Sequence, residues 1–214
     1  DPTFQKGWAR LARCSIILGD TVTARKALTK LPPNEYPLEQ ANVELLETIR
    51  ADTLTALQLG DNKSALYCME KALELATHSL SLMTARAECL ARSGRYKEAS
   101  EAAKDVLVSD ESNVDAQYVR GLCHYFEDDT DKAIKCLAKA LEMAPYHGKA
   151  KDTKRKAELL KSKKDAGTVA TKAGKLEKAY QLYTEALAVD PQTRNAKLYF
   201  KRAMLASKLN KELE

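Results

Sequence analysis

Five cysteines and three histidines carry the most reactive side chains in this sequence. Gathered in one place they would allow thiolate chemistry or a zinc site, and both need partners close in space. Their spacing argues against it. Cys14, Cys89 and Cys123 fall at the tenth position of a recurring unit, and Cys68 and Cys136 at its twenty-third. They therefore occupy equivalent places in separate units, and no Cys-x-x-Cys pair occurs. They are expected as small buried apolar residues, and unpaired thiols suit a reducing compartment, cytoplasm or nucleus. His78, His124 and His147 have no partner at metal or triad spacing. No His-Glu-x-x-His string, phosphate-binding glycine loop or Gly-x-Ser-x-Gly elbow is present. No catalytic residue, metal or cofactor is expected; the chain reads as a binding scaffold and not an enzyme.

The remaining chemistry is ionic. The net charge is +5, from 35 basic and 30 acidic residues, but it is unevenly placed. From residue 149 onward 17 Lys and Arg face 8 Asp and Glu, so this third carries +9 and the preceding 148 residues −4. Such a basic region favours an acidic peptide or surface by long-range attraction. No aromatic-plus-basic motif accompanies it, which disfavours nucleic acid as partner. No run approaches the roughly 18 consecutive apolar residues that a membrane span needs.

The elements that position these charges are helices, given the dominance of Ala, Leu, Lys and Glu. Self-similarity sets their arrangement. Gly60 and Gly94 lie 34 residues apart in similar strings, Leu-Gly-Asp-Asn-Lys-Ser-Ala at 59–65 and Ser-Gly-Arg-Tyr-Lys-Glu-Ala at 93–99. Gly19 and Gly174 head matching strings that reach Ala24 and Ala179; Asp128 stands where a fourth unit should have its glycine, 34 residues beyond Gly94. The eighth position, where paired helices cross closely, is Ala12, Ala87, Gly121, Gly167 and Ala203. Small residues recur as Ala72, Ala140 and Ala186, and Pro145 and Pro191 close second helices. A 34-residue helix–turn–helix period with these marks is the tetratricopeptide signature. The expected fold is all-α, a right-handed superhelical array (α-solenoid) of such repeats, five complete and a sixth begun near Ala196.

Two connections exceed the period. Gly19 to Gly60 is 41 residues, with residues 31–37 and their three prolines taking up part of the excess. Asp128 to Gly174 is 46, and residues 146–163 hold no helix breaker after Gly148. This stretch is expected to extend the first helix of the fifth repeat backwards and to divide the array. The expected segments are 1–37, 38–148 and 149–214.

The first helices of stacked repeats line a groove, following the helical period. Its first repeat offers Lys6, Arg10 and Arg13, and its fifth Lys161, Lys164 and Thr168, with Lys201 following in the sixth. The fourth presents Tyr118, Leu122, Tyr125 and Phe126. These four either form an apolar pocket for a peptide or unfolded client, or pack against a neighbouring repeat.

The strings at 114–124 (Val-Asp-Ala-Gln-Tyr-Val-Arg-Gly-Leu-Cys-His), 132–145, 179–191 (Ala-Tyr-Gln-Leu-Tyr-Thr-Glu-Ala-Leu-Ala-Val-Asp-Pro) and 195–199 resemble the cytosolic co-chaperones that join tandem tetratricopeptide repeats to a C-terminal J domain. The likeness runs from about Phe4 to Leu209 and is weakest around residues 31–55. The resemblance implies two clamps of three repeats each, gripping the acidic Glu-Glu-Val-Asp tails of the 70-kDa and 90-kDa heat-shock chaperones through charge-assisted bonds. Lys6 and Arg10 match the Lys-x-x-x-Arg pair of a first clamp's third repeat, and Lys164 matches the lysine that opens a second. Thr168 and Lys201 stand where the family pattern has asparagines. Neither clamp is complete in these residues, nor is the J domain with its His-Pro-Asp motif, so tail binding by this stretch alone is expected to be weak. The implied role is a co-chaperone adaptor for heat-shock chaperones and unfolded clients, cytoplasmic and in part nuclear. The alternative is an interaction scaffold of another assembly.

Overall fold

The computed structural model describes residues 4–191 and 195–209; the outer ends of the first and last expected segments lie outside them. Among the described residues there are eleven helices and no strand: α1 (Gln5–Leu18), α2 (Thr21–Leu28), α3 (Pro37–Gln58), α4 (Asn62–Leu75), α5 (Leu80–Arg92), α6 (Tyr96–Ser109), α7 (Val114–Phe126), α8 (Thr130–Met143), α9 (Gly148–Lys172), α10 (Leu176–Ala188) and α11 (Ala196–Lys208). The fold is a helical repeat solenoid of the tetratricopeptide kind.

Each turn between the two helices of a repeat is set by a residue with left-handed backbone. Gly19, Gly60, Gly94 and Gly174 have φ between 70° and 84°, and Asp128 takes the same conformation at 65°. At this conformation glycine carries no Cβ penalty, whereas an L-residue does. Three of the helices that follow these turns, α2, α4 and α8, and also α11, are started by side-chain caps. Asp20 accepts from the Thr23 amide, Asp61 from Lys63 and Ser64, Asp129 from Lys132 and Asn195 from Leu198. A cap of this kind contributes about 1 kcal/mol.

The helix crossings explain the small residues of the repeat. Ala12 and Ala87 are fully buried. A Cβ on Gly121 would stand 2.7 Å from the Leu137 side chain. Ala24, Ala65, Ala99, Ala133 and Ala179, one per repeat, are likewise fully buried in the second helices. Any larger side chain at these places would drive the paired helices apart, which dense packing does not tolerate without strain.

The chain forms two compact units, Asp1–Val106 and Leu107–Glu214. In the first, α1 pairs with α2 and α3 with α4, and α2 packs on α3 and α4 on α5. In the second, α7 pairs with α8 and α9 with α10, while α8 packs on α9 and α10 on α11. The boundary falls within α6, not at the long insertion expected to divide the array. That insertion forms the first half of α9, a single helix of 25 residues lying wholly in the second unit. The excess of the other connection is shared between the loop at 31–36 and the 22-residue helix α3.

The cysteines do not all follow the expectation of burial. Cys89 and Cys123 are buried, and desolvation pushes the Cys123 thiol up to about 12. Cys68 and Cys136 are half-buried and Cys14 is exposed. The tenth position of α1 has no described helix in front of it to cover it.

Candidate functional site

The lysines of the fifth repeat meet an acidic turn of the fourth. Residues 127–131, Glu-Asp-Asp-Thr-Asp, make up the α7–α8 turn and the first two residues of α8. Lys164 on α9 donates from Nζ to Asp128 Oδ1 at 2.5 Å, and Asn195 Nδ2, capping α11, donates to the same oxygen at 2.6 Å. The Asp128 side chain retains 12% of its exposure and that of Lys164 18%. One turn earlier on α9, Lys161 pairs with Asp131; this is an open contact, with side chains 42% and 67% exposed. The Asp131 carboxylate raises the Lys161 ammonium above its ordinary value. Asp129 caps α8 and pairs with Lys132 at 2.8 Å, and that bond holds its carboxyl below the usual range.

A polar cleft of about 490 Å³ opens beside these pairs, its lining including Lys161, Lys164, Lys197, Asp128, Asp131 and Asp165. Further along α9, Tyr183 of α10 packs against the helix and is 2% exposed. The Thr168 hydroxyl donates to the Lys164 carbonyl at 2.9 Å and lies 3.2 Å from the Tyr183 hydroxyl. Lys201 Nζ stands 5.7 Å from the centroid of the same ring. Of three positions singled out from sequence, Thr168 and Lys201 thus meet at Tyr183, while Lys164, one turn earlier on α9, turns its ammonium to Asp128. Their link, Tyr183, and the two groups that hold Lys164 in place, Asp128 and Asn195, were not legible as site residues. The one signal was Asp128 in the place of a turn glycine.

In the first unit, Lys6, Arg10 and Arg13 share one face of α1, and all three are exposed. Arg13 Nε donates to Glu39 Oε1 of α3 at 2.7 Å, and this bond holds the Glu39 carboxyl below its ordinary value. Arg13 is therefore partly engaged within the protein, whereas Lys6 and Arg10 extend from α1 into solvent.

The apolar set of α7 is not an open groove. Tyr118, Leu122 and Tyr125 are 1%, 3% and 3% exposed, and Phe126 is half-buried with its ring 5.8 Å from that of Tyr125. The reason is the added length of α9, which packs along α7. Tyr118 lies against the His147 ring at 5.4 Å, at the start of α9. His147 in turn accepts the Ala150 amide at Nδ1 and bonds Asp115 through Nε2 at 2.9 Å. At the other end Tyr125 donates to Asp190 Oδ2 at 3.3 Å, and Lys156 approaches the same oxygen at 3.6 Å. Burial and the Asp190 carboxylate push the Tyr125 phenol well above its ordinary value. Tyr118, Leu122 and Tyr125 are core, and Phe126 lies at its edge.

No helix among the described residues is long and apolar enough to cross a membrane.

Comparison with known proteins gives the same repeat class. The tetratricopeptide-repeat family profile matches residues 54–112 and 84–148. The chain is 39% identical to the DnaJ homolog subfamily C member 7 of Homo sapiens over 99% of its own length and 44% of the relative's. It is 38% identical to the DnaJ homolog subfamily C member 7 of Mus musculus, over 98% of this chain and 44% of that one. The chain thus spans less than half the length of these relatives. Among solved structures, the crystal structure of the P58(IPK) TPR domain superposes with a TM-score of 0.55 at 18% identity, covering 97% of this chain and 61% of that one. At that identity the likeness bears on the fold alone.

Proposed function

This is a tetratricopeptide-repeat chain similar over nearly its whole length to DnaJ homolog subfamily C member 7 relatives, and from that premise we propose that it serves as a co-chaperone adaptor. In this reading its repeats bind the acidic C-terminal tails of the 70-kDa and 90-kDa heat-shock chaperones, together with unfolded clients, in the cytoplasm. The observation that carries the reading is the cleft lined by Lys161, Lys164 and Lys197, with Thr168 one turn beyond Lys164 on α9 and meeting Lys201 at the Tyr183 ring. Converging ammonium groups on rigid helices are what a peptide carboxylate needs, because charge-assisted bonds are the strong ones and helix positions are fixed by packing. Lys6 and Arg10, exposed one helical turn apart on α1, form a second, smaller basic face that would add to tail binding.

The test is calorimetric titration with a short peptide ending Glu-Glu-Val-Asp, with its C-terminal carboxylate free or amidated. Binding of the free acid that falls at least about tenfold on amidation supports the reading, since one charge-assisted contact is worth about 1.5–3 kcal/mol. Equal binding of the two peptides, or none, counts against it.

A further inference from the structure

The lysine face of α9 is already occupied by carboxylates, and they belong to the chain itself. Asp128 and Asp131 are three residues apart on the turn, as Lys161 and Lys164 are on α9. That spacing puts the two lysines on one face of α9, while the left-handed turn at Asp128 and the first turn of α8 aim the two carboxylates at them. Asp128 therefore meets Lys164 and Asp131 meets Lys161, as an acidic peptide laid along α9 would meet them. Of the other acids in the turn, Asp129 is committed to capping α8 and to Lys132.

Two observations set this turn apart from an ordinary surface ion pair. The other four repeats place glycine at this position, with φ of 70° to 84°, whereas here an aspartate holds a φ of 65°. A carboxylate thus stands in a backbone conformation that glycine adopts freely and that aspartate, though better suited to it than most residues, adopts only occasionally. Its side chain is also largely withdrawn from water and held by two donors, Lys164 and Asn195, where exposed pairs are screened and contribute little. The Asp131 contact is open and easily exchanged; the Asp128 contact is the lock.

We propose that the acidic turn at residues 127–131 is an internal competitor for acidic peptides. Asp128, assisted by Asp131, must leave the lysine face of α9 before a peptide carboxylate can reach Lys164. The inference rests on the reading of this face as an acidic-peptide site and adds its regulation. Its consequence is arithmetic: the apparent affinity is the intrinsic one multiplied by the fraction of molecules whose turn is displaced. The cleft beside the turn gives an incoming carboxylate room, and Lys197 on its wall offers a first contact.

The test uses the same free-acid peptide ending Glu-Glu-Val-Asp and compares four variants with the wild-type chain by calorimetry, the last of them also in the background of the double turn variant. Asp128→Gly restores the turn residue of the other repeats, and Asp128→Gly with Asp131→Asn empties the lysine face. Glu111→Gln with Glu142→Gln makes the same change in net charge at the opposite end of the α7–α8 pair, and Lys164→Ala removes the ammonium under dispute. The double turn variant is expected to bind about tenfold more tightly, Asp128→Gly to take most of that gain, and the charge-matched control to gain no more than about twofold. Should the double turn variant fold poorly, Asp128→Gly is read in its place. A gain no larger than the control's, with Lys164→Ala still weakening wild-type binding, overturns the competitor while leaving the peptide site intact. If Lys164→Ala changes nothing in either background, the acidic-peptide reading of the face fails, and the competitor with it.

Discussion

A Cβ added to Gly167 on α9 would stand 2.6 Å from the Tyr183 ring of α10, with two further ring atoms at 2.9 and 3.1 Å. The ring is 2% exposed and has little room to retreat. Gly167→Ala therefore sets two effects against each other. Alanine gains about 1 kcal/mol of helix propensity over glycine, while overpacking costs about 1–3 kcal/mol. With a rigid ring as the obstacle the packing cost wins, and a net loss of about 1 kcal/mol or more is expected. Gly148, at the start of the same helix, has nothing within 4 Å of its added Cβ. Gly148→Ala should be neutral or slightly stabilising, so chemical denaturation of the two variants should give opposite signs. Because Tyr183 underlies Thr168 and Lys201, only Gly167→Ala should also weaken binding of the acidic peptide.

The aromatic face of α7 makes a different prediction. If Tyr118 were groove surface, Tyr118→Ala would lower client binding and leave stability almost unchanged. Buried to 1% and packed at a tilt against the His147 ring, it should instead cost about 3–5 kcal/mol, the range for deleting a large core aromatic. The loss is read as a fall in denaturant midpoint without change of slope. A shift under about 0.5 kcal/mol, the usual size for a surface substitution, would return Tyr118 to the groove.

These two sites mark how far the sequence alone could be read. Gly167 was legible as a crossing position because closeness of paired helices is a local demand, repeated every 34 residues and met by a small residue each time. The length of α9 was legible too, since residues 149–163 contain neither glycine nor proline. What covers Tyr118 was not, because burial there depends on His147, some thirty residues away in the chain, and no periodicity reports on such a partner. Asp128 shows a second kind of blindness. In sequence it appears as a repeat lacking its glycine; only in the folded chain does the replacement carboxylate meet Lys164 and Asn195. The basic character of α9 and α11 was likewise visible as composition, but composition does not distinguish an open lysine from one already paired within the molecule.

The pair between Arg13 and Glu39 predicts a pH dependence of stability. Its carboxyl is held below the ordinary 4.5, chiefly by the hydrogen bond from Arg13. A carboxyl whose folded value is depressed stabilises the fold at pH above its unfolded value, and the contribution is lost as pH falls through the folded value. The Arg13 side chain is 60% exposed, so solvent screens the pair, and about 0.5–1 kcal/mol is the expected contribution. Glu39→Gln keeps an oxygen that can accept from Arg13 and removes only the charge, so the comparison isolates the ionic part. The variant should melt below wild type near pH 7, and the gap should hold down to about pH 5, narrow below about 4.5 and vanish near pH 3. A gap unchanged across that range would mean that Glu39 stabilises the α1–α3 contact by packing and shape, with its charge contributing nothing.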